Sequence, residues 1–175
     1  MTHIQFLIGC PASGKSTLAN TLIKQNANYR VVSTDHIRAM LFGDEAIQGC
    51  WAQVENEALR QITDHLRLGH SVIYDATNAK RSWRREFIQT LKELGNTNIM
   101  GLYLKTPLDV CQQWNQQRQR QVPLWVIEDH YQALQQFPPL TTEGFTAIID
   151  IPFNDGKLDL SHLEEQLRQI EHPSD

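Results

Sequence analysis

The segment Gly9-Cys10-Pro11-Ala12-Ser13-Gly14-Lys15-Ser16-Thr17 has the glycine spacing and the basic and hydroxyl side chains that hold a nucleotide's phosphates. Gly9 and Gly14 permit backbone dihedrals and a close approach that a side chain would block. The loop amides, those of Ala12, Ser13 and Gly14 among them, face the β-phosphate together with the N-terminus of a following helix. Lys15 is placed for the β- and γ-phosphates, and the hydroxyl of Ser16, with Thr17 beside it, for Mg²⁺. The base-reading Asn-Lys-x-Asp of GTPases is absent, and Asn78-Ala79-Lys80-Arg81 does not supply it. ATP is therefore the expected nucleotide.

Phosphoryl transfer also needs an acceptor placed in line, and a carboxylate can take the acceptor's proton as the bond forms. Asp35 follows an apolar run, and Arg38 faces the same way if a helix begins near it. The pair fits a base and an acceptor clamp; Asp35 also fits a simple helix cap. Asp75 closes Val72-Ile73-Tyr74, an apolar strand ended by an acid, and suits Mg²⁺ or its waters. Thr77 and Asn78 follow. They either bind acceptor or phosphate or, with Asp75, stabilise a strand-to-helix turn. Arg118 and Arg120 lie between two helical segments, where a mobile lid over about residues 115–124 would carry cations onto the transferring group and the nucleotide. The glutamines around them fit a solvated helix face as well.

Lys80, Arg81, Arg84 and Arg85 surround Trp83 and form the strongest local positive cluster. Such a cluster can track a nucleic-acid strand, but the preferred reading is an exposed helix face whose tryptophan packs inward. The histidines contain no i, i+4 pair, so no zinc site is expected. Cys10, Cys50 and Cys111 are too scattered for a disulfide framework or a CxxC metal pair. They predict a reduced, cytoplasmic protein, with Cys10 a small buried residue and not a nucleophile.

The elements that must position these residues alternate between short β-rich runs and longer helical periods, which predicts a parallel α/β sheet. Strands are expected at 4–8, 29–33, 71–74, 99–104 and 145–151. Helices are expected from Ser16, over 51–68 with Gly69 as its stop, over 82–94 before Gly95, over 123–135 and over 158–170. Thr106-Pro107-Leu108-Asp109 predicts another helix start, with Thr106 as cap and Pro107 in the first turn. The tail 172–175 is expected to fray.

At 175 residues, 41% hydrophobic and 21% charged, the chain suits one domain over 1–175. A net charge of -4 argues against a general nucleic-acid coat but leaves room for a local basic channel. The apolar stretch before Gly9 runs into the glycine loop without a basic leader, so it reads as a core strand and not a signal peptide. No apolar run approaches the about 20 residues that cross a bilayer, so no membrane partner is expected.

Taken in order, Ile8-Gly9-Cys10-Pro11, Gly14-Lys15-Ser16-Thr17, Asp35 with Arg38, Asp75-Ala76-Thr77-Asn78 and Asn115-Gln116-Gln117-Arg118 leading to Val122-Pro123 resemble the 5′-polynucleotide kinase family of P-loop kinases. The resemblance covers most of the chain. It implies a three-layer P-loop NTPase fold of the nucleotide-kinase type, with a central parallel sheet of about five strands and a helical lid. It further implies that Lys15 and Ser16 serve phosphates and metal, Asp35 is the general base, Arg38 contacts the acceptor's phosphate and Arg118 stabilises the transition state. One departure stands out: the family often has a second Arg beside the lid Asn, and here Trp114 stands there. Zeta-toxin-type sugar-nucleotide kinases and seryl-tRNA kinases resemble the same motifs. The expected activity is ATP-dependent phosphorylation of a hydroxyl, foremost the 5′-hydroxyl of DNA or RNA. The alternatives are a small metabolite or sugar nucleotide as acceptor, or an ATP-binding switch protein with no acceptor.

Overall fold

The strand β1 (Ile4–Ile8) is buried along its whole length, as a central strand of a covered parallel sheet must be. Its side chains alternate: Ile4, Phe6 and Ile8 enter one apolar cluster and Leu7 the other. This alternation divides the molecule into layers. The structure is a computed structural model that describes residues 2–171.

After β1 come α1 (Lys15–Gln25), β2 (Tyr29–Ser33), α2 (Thr34–Phe42), α3 (Trp51–Arg67), β3 (Ser71–Asp75), α4 (Arg81–Glu93), β4 (Ile99–Leu104), α5 (Leu108–Gln116), α6 (Leu124–Gln136), a short 3₁₀ turn at Thr141–Glu143, and β5 (Ala147–Ile151). The five strands form one sheet in the order β2-β3-β1-β4-β5, and every pairing is parallel. Both Leu7 and Ser33 stand opposite Asp75. The C-terminal ends of β1, β2 and β3 therefore open on one edge, where open α/β sheets bind ligands.

Residues Ile37, Val54, Ala58, Ile62, Phe87, Ile88, Leu91 and Leu134 cover one face with α2, α3, α4 and α6. Leu18, Ala19 and Leu22 of α1 cover the other, together with Leu163 and Leu167 of the last helix. An aromatic knot fills the first face, with Tyr74 stacked on Phe87 at 4.6 Å and Phe6 edge-on to both. Fully burying one such side chain is worth about 1.5–3 kcal/mol. This is the three-layer α/β arrangement with a five-stranded parallel sheet that the sequence predicts.

Some expectations need correction. The helix expected over 158–170 starts later: after β5 the chain makes a small antiparallel hairpin, β6 (Phe153–Asn154) with β7 (Lys157–Leu158), and only then α7 (Leu163–Glu171). Asp155 and Gly156 both have positive φ, the demand of a tight hairpin turn, and Asp-Gly is the dipeptide that meets it. The basic cluster on α4 is also turned inside out. Arg84 is fully buried, whereas Trp83 is 46% exposed. The expected frayed tail, 172–175, lies outside the described residues. No helix among the described residues is long and apolar enough to cross a membrane.

Candidate active site

The phosphate loop is strained and tied down from several sides. Ala12 has φ 60, a left-handed conformation unusual for an L-residue, and Gly14 has φ 98. A Cβ on Gly9 would strike Ser13 Oγ at 2.5 Å. The Gly9 amide donates to the Thr77 carbonyl at 3.2 Å. Asn78 Nδ2 donates to the Leu7 carbonyl at 2.9 Å, so the loop after β3 is clipped to the end of β1. Asn78 reaches this position with φ 50, and its amide nitrogen serves the scaffold.

Thr106 is not the helix cap that its position predicts. Its hydroxyl donates instead to the Ser13 carbonyl at 2.7 Å, and α5 starts after Pro107 with no side-chain cap. Asp35 likewise is not the cap of α2. Ser33 holds that place, accepting from the His36 amide, and Asp35 sits in the first turn with its carboxylate not used as a cap.

Lys15 is buried and donates to the carbonyls of Gly9 and Cys10 at 2.9 and 2.8 Å. Burial lowers its pKa, and the Asp75 carboxylate is the largest opposing influence. Asp75 is buried too, which raises its pKa against the pull of Lys15 and a 2.8 Å hydrogen bond from Ser16 Oγ. A hydroxyl and a carboxylate meeting at the start of α1 make an all-oxygen donor set suited to a hard divalent cation. Ser13 Oγ is buried without a partner inside the same loop. Both observations fit a site for phosphate and metal.

Arg38 Nη1 pairs with Asp35 Oδ1 at 3.1 Å, and its guanidinium lies 5.9 Å from the centre of the Trp51 ring. Arg38 Nε is buried with no partner. Arg120 reaches the other Asp35 oxygen at 3.4 Å and Glu45 at 3.1 Å. Arg118 is exposed, and its charge is among those felt by Asp75. The segment bearing both arginines joins α5 to α6. Asn115 closes it, donating to the Val122 carbonyl at 2.8 Å and accepting from the Val122 amide at 2.9 Å.

One cavity of about 940 Å³ has Lys15, Ser16, Asp35, Arg38, Asp75, Thr77, Asn78, Arg118 and Arg120 on its walls. The structure thus brings the residues chosen from the sequence to this cavity, Gly9 excepted, and adds several that the sequence reading misses. Trp114 and Leu158 stand 3.5 and 3.1 Å from where a Cβ on Gly14 would be, so α5 and the hairpin wall the phosphate loop with apolar surface. Only the Asp155-Gly156 turn signal could have flagged the hairpin. Trp51, Glu55, Trp83, Glu86 and His130 line the rest of the cavity, from three helices that periodicity alone cannot bring together. Of the α4 basic cluster, neither Lys80, Arg81, Arg84 nor Arg85 is on its walls. Lys80 pairs with Asp129, and Arg84 with Glu143.

Strand, strained glycine loop, helix and an acid-tipped neighbouring strand together make the arrangement of a P-loop nucleotide-phosphate site. The sequence model of the AAA domain family matches residues 4–140, and the chain belongs to that family. Over 135 residues it is 31% identical to the L-seryl-tRNA(Sec) kinase of Methanococcus maripaludis, covering 72% of this chain and 50% of that protein. Among solved structures, the Pnkp1/Rnl/Hen1 RNA repair complex shares the fold at TM-score 0.69 and 24% identity, over 90% of this chain and 48% of that one. The tunicamycin resistance protein of Deinococcus radiodurans shares it at TM-score 0.66 and 18% identity, over 99% and 98%. The chain thus spans about half the length of the kinase relative and of the repair-complex chain.

Proposed function

We propose that this chain is an ATP-dependent kinase acting as one domain over 1–175, with a lid over about residues 115–124, that phosphorylates a hydroxyl group. The observation that supports this reading is the meeting of Lys15, the Ser16–Asp75 pair and the Asp35–Arg38 pair on one cavity. ATP binding alone needs only the first two. An ion-paired carboxylate beside the phosphate loop is what an acceptor needs.

In this reading Gly9 permits the close approach, the loop amides from Ala12 to Thr17 hold the phosphates, and Lys15 leaves its carbonyl partners for the β- and γ-oxygens. The apolar wall of Trp114 and Leu158 suits the nucleotide's base or ribose. Ser16 and Asp75 would hold Mg²⁺, which when bound neutralises charge on the transferring group. Asp35 accepts the proton of the attacking hydroxyl, and Arg38 orients the acceptor through its free Nε. Thr77 lines the acceptor's path, and Asn78 fixes the loop that carries it. Arg118 closes over the transferring phosphoryl. Arg120 releases Asp35 as it turns to the nucleotide.

The leading acceptor is the 5′-hydroxyl of DNA or RNA, in the cytoplasm. It is supported by the ordered motifs and by the shared fold of a protein in an RNA repair complex. A small-molecule acceptor is the second reading, favoured by the electrostatics. Glu55 and Glu86 line the cavity, and burial with the Glu86 charge raises the pKa of Glu55. The basic cluster that would guide a polyanion faces elsewhere. A screen with radiolabelled ATP, setting 5′-hydroxyl oligonucleotides against a metabolite panel with the Asp35→Asn protein as control, decides between them. Label on oligonucleotides supports the first reading; label only on a metabolite supports the second. No label on anything sinks the kinase reading.

A further inference from the structure

We propose that Cys10 and Cys111 form a reversible disulfide that shuts the nucleotide site, making the enzyme sensitive to peroxide-class oxidants. The consequence for activity rests on the kinase reading above; the disulfide itself does not. The two thiols lie 101 residues apart in sequence, yet their sulfurs approach to 3.0 Å. All three cysteines are free, as the sequence predicts, but spacing alone does not show that two of them stand side by side. A disulfide has an S–S distance of about 2.05 Å, so about 1 Å separates the present contact from a bond.

The pair sits where a small movement matters. Cys10 belongs to the phosphate loop, and its carbonyl holds both Lys15 Nζ at 2.8 Å and the Ser13 amide at 3.2 Å. Cys111 belongs to α5, which leads through Asn115 into the arginine-bearing segment. With Ile127 the two cysteines form a small apolar cluster under that segment. A bond between the sulfurs would fasten the phosphate loop to the lid helix and drag the carbonyl that positions Lys15. Neither thiol lines the cavity, so phosphoryl transfer has no evident use for them. The hydrogen bond between the two sulfurs, assisted by the Lys15 charge, lowers the Cys10 pKa in spite of burial. This favours the reactive thiolate.

The chemistry balances with one peroxide. The Cys10 thiolate attacks a peroxide oxygen, breaking the O–O bond; the Cys10 thiol becomes a sulfenic acid and one water leaves. Cys111 sulfur then displaces the hydroxyl from that sulfenic acid as a second water, and the S–S bond forms. Two thiols are oxidised and the peroxide is reduced. Both thiols are buried, and Pro11, next to Cys10, lines the cavity, so a small oxidant has to enter from that side as the loop opens.

The test uses the whole wild-type protein treated with hydrogen peroxide, then alkylated under denaturing conditions and mapped by mass spectrometry. The expected product has one peptide joining Cys10 to Cys111, with Cys50, the exposed thiol, still alkylated. Binding of labelled ATP should fall about 10–100-fold, the worth of one charged hydrogen bond from Lys15, and recover with dithiothreitol. Cys111→Ser should bind ATP normally and keep binding it after peroxide. The proposal is overturned if Cys10 and Cys111 stay alkylatable while Cys50 is oxidised. It is overturned equally if the bond forms without loss of ATP binding, or if Cys111→Ser is inactivated like the wild type. Should Cys111→Ser fail to fold, the wild-type peptide map and binding measurements decide alone. Reduced protein that binds no ATP sinks the kinase reading, whereas the peptide map judges the disulfide in either case.

Discussion

Ser16 Oγ donates to Asp75 Oδ2 across 2.8 Å, joining the first turn of α1 to the tip of β3. The two residues lie 59 positions apart, and only the adjacency of β1 and β3 brings them together. If this pair is the metal site, Asp75→Asn keeps the shape and removes the charge. The Mg²⁺ concentration for half-maximal activity should rise about 10–100-fold. A titration of activity with Mg²⁺ reads this directly. An unchanged Mg²⁺ requirement would place the metal elsewhere.

The raised pKa of Asp75 gives that site a pH dependence of definite sign. Burial favours the protonated acid, so the carboxylate titrates above its ordinary value of 3.8. Protonated Asp75 is a poor metal ligand. Mg²⁺ affinity should therefore fall, as pH drops, at a higher pH than an ordinary carboxylate would dictate. Because metal and proton compete, more Mg²⁺ should shift the acid limb of kcat/KM to lower pH. Profiles at two Mg²⁺ concentrations that superimpose would contradict this.

Asp35 carries a different kind of prediction, because Ser33 and not Asp35 caps α2. Asp35→Asn should cost about 10²–10⁴-fold in kcat, the range for loss of a general base. Its side chain is 46% exposed and its ion pairs lie near the surface, so stability should change by less than about 1 kcal/mol. Steady-state kinetics and urea unfolding of the same variant separate the roles. Unchanged kcat with a lowered unfolding midpoint would show that Asp35 is structural.

The layered fold was legible because its signals are local. Five strands show as apolar runs, and Gly69 and Gly95, at φ 82 and 87, stop their helices where the pattern predicts. The phosphate loop, Asp35 and Asp75 were legible because each stands at a strand's C-terminal end, and a parallel sheet gathers those ends on one edge. Thr106 was misread because a hydroxyl before Pro107 looks like a cap, and its real partner, the Ser13 carbonyl, is 93 residues away. The cysteine pair was missed for the same reason of distance. On α4 the error was one of chemistry: an arginine counts as surface until a buried carboxylate is known to face it.

That arginine supports the last prediction. Arg84 and Glu143 are both fully buried, and Nε and Nη2 meet the two carboxylate oxygens at 2.6 and 2.7 Å. The remaining donors reach the carbonyls of Asn78, Ala79 and Phe137. One guanidinium thus joins the loop after β3, the end of α6 and the turn before β5. Taking charges out of water is costly, so the intact pair adds little net stability, but breaking it leaves a carboxylate with only Arg81, 3.7 Å away. Arg84→Met should destabilise the fold by about 3–5 kcal/mol in urea unfolding. Arg84→Met with Glu143→Gln should recover much of that loss, since neither charge is then stranded. Arg85→Met, on the exposed side of the same helix, should change stability by less than about 0.5 kcal/mol. Equal effects at 84 and 85 would mean that the arginine faces solvent and that the fork to Glu143 is not there.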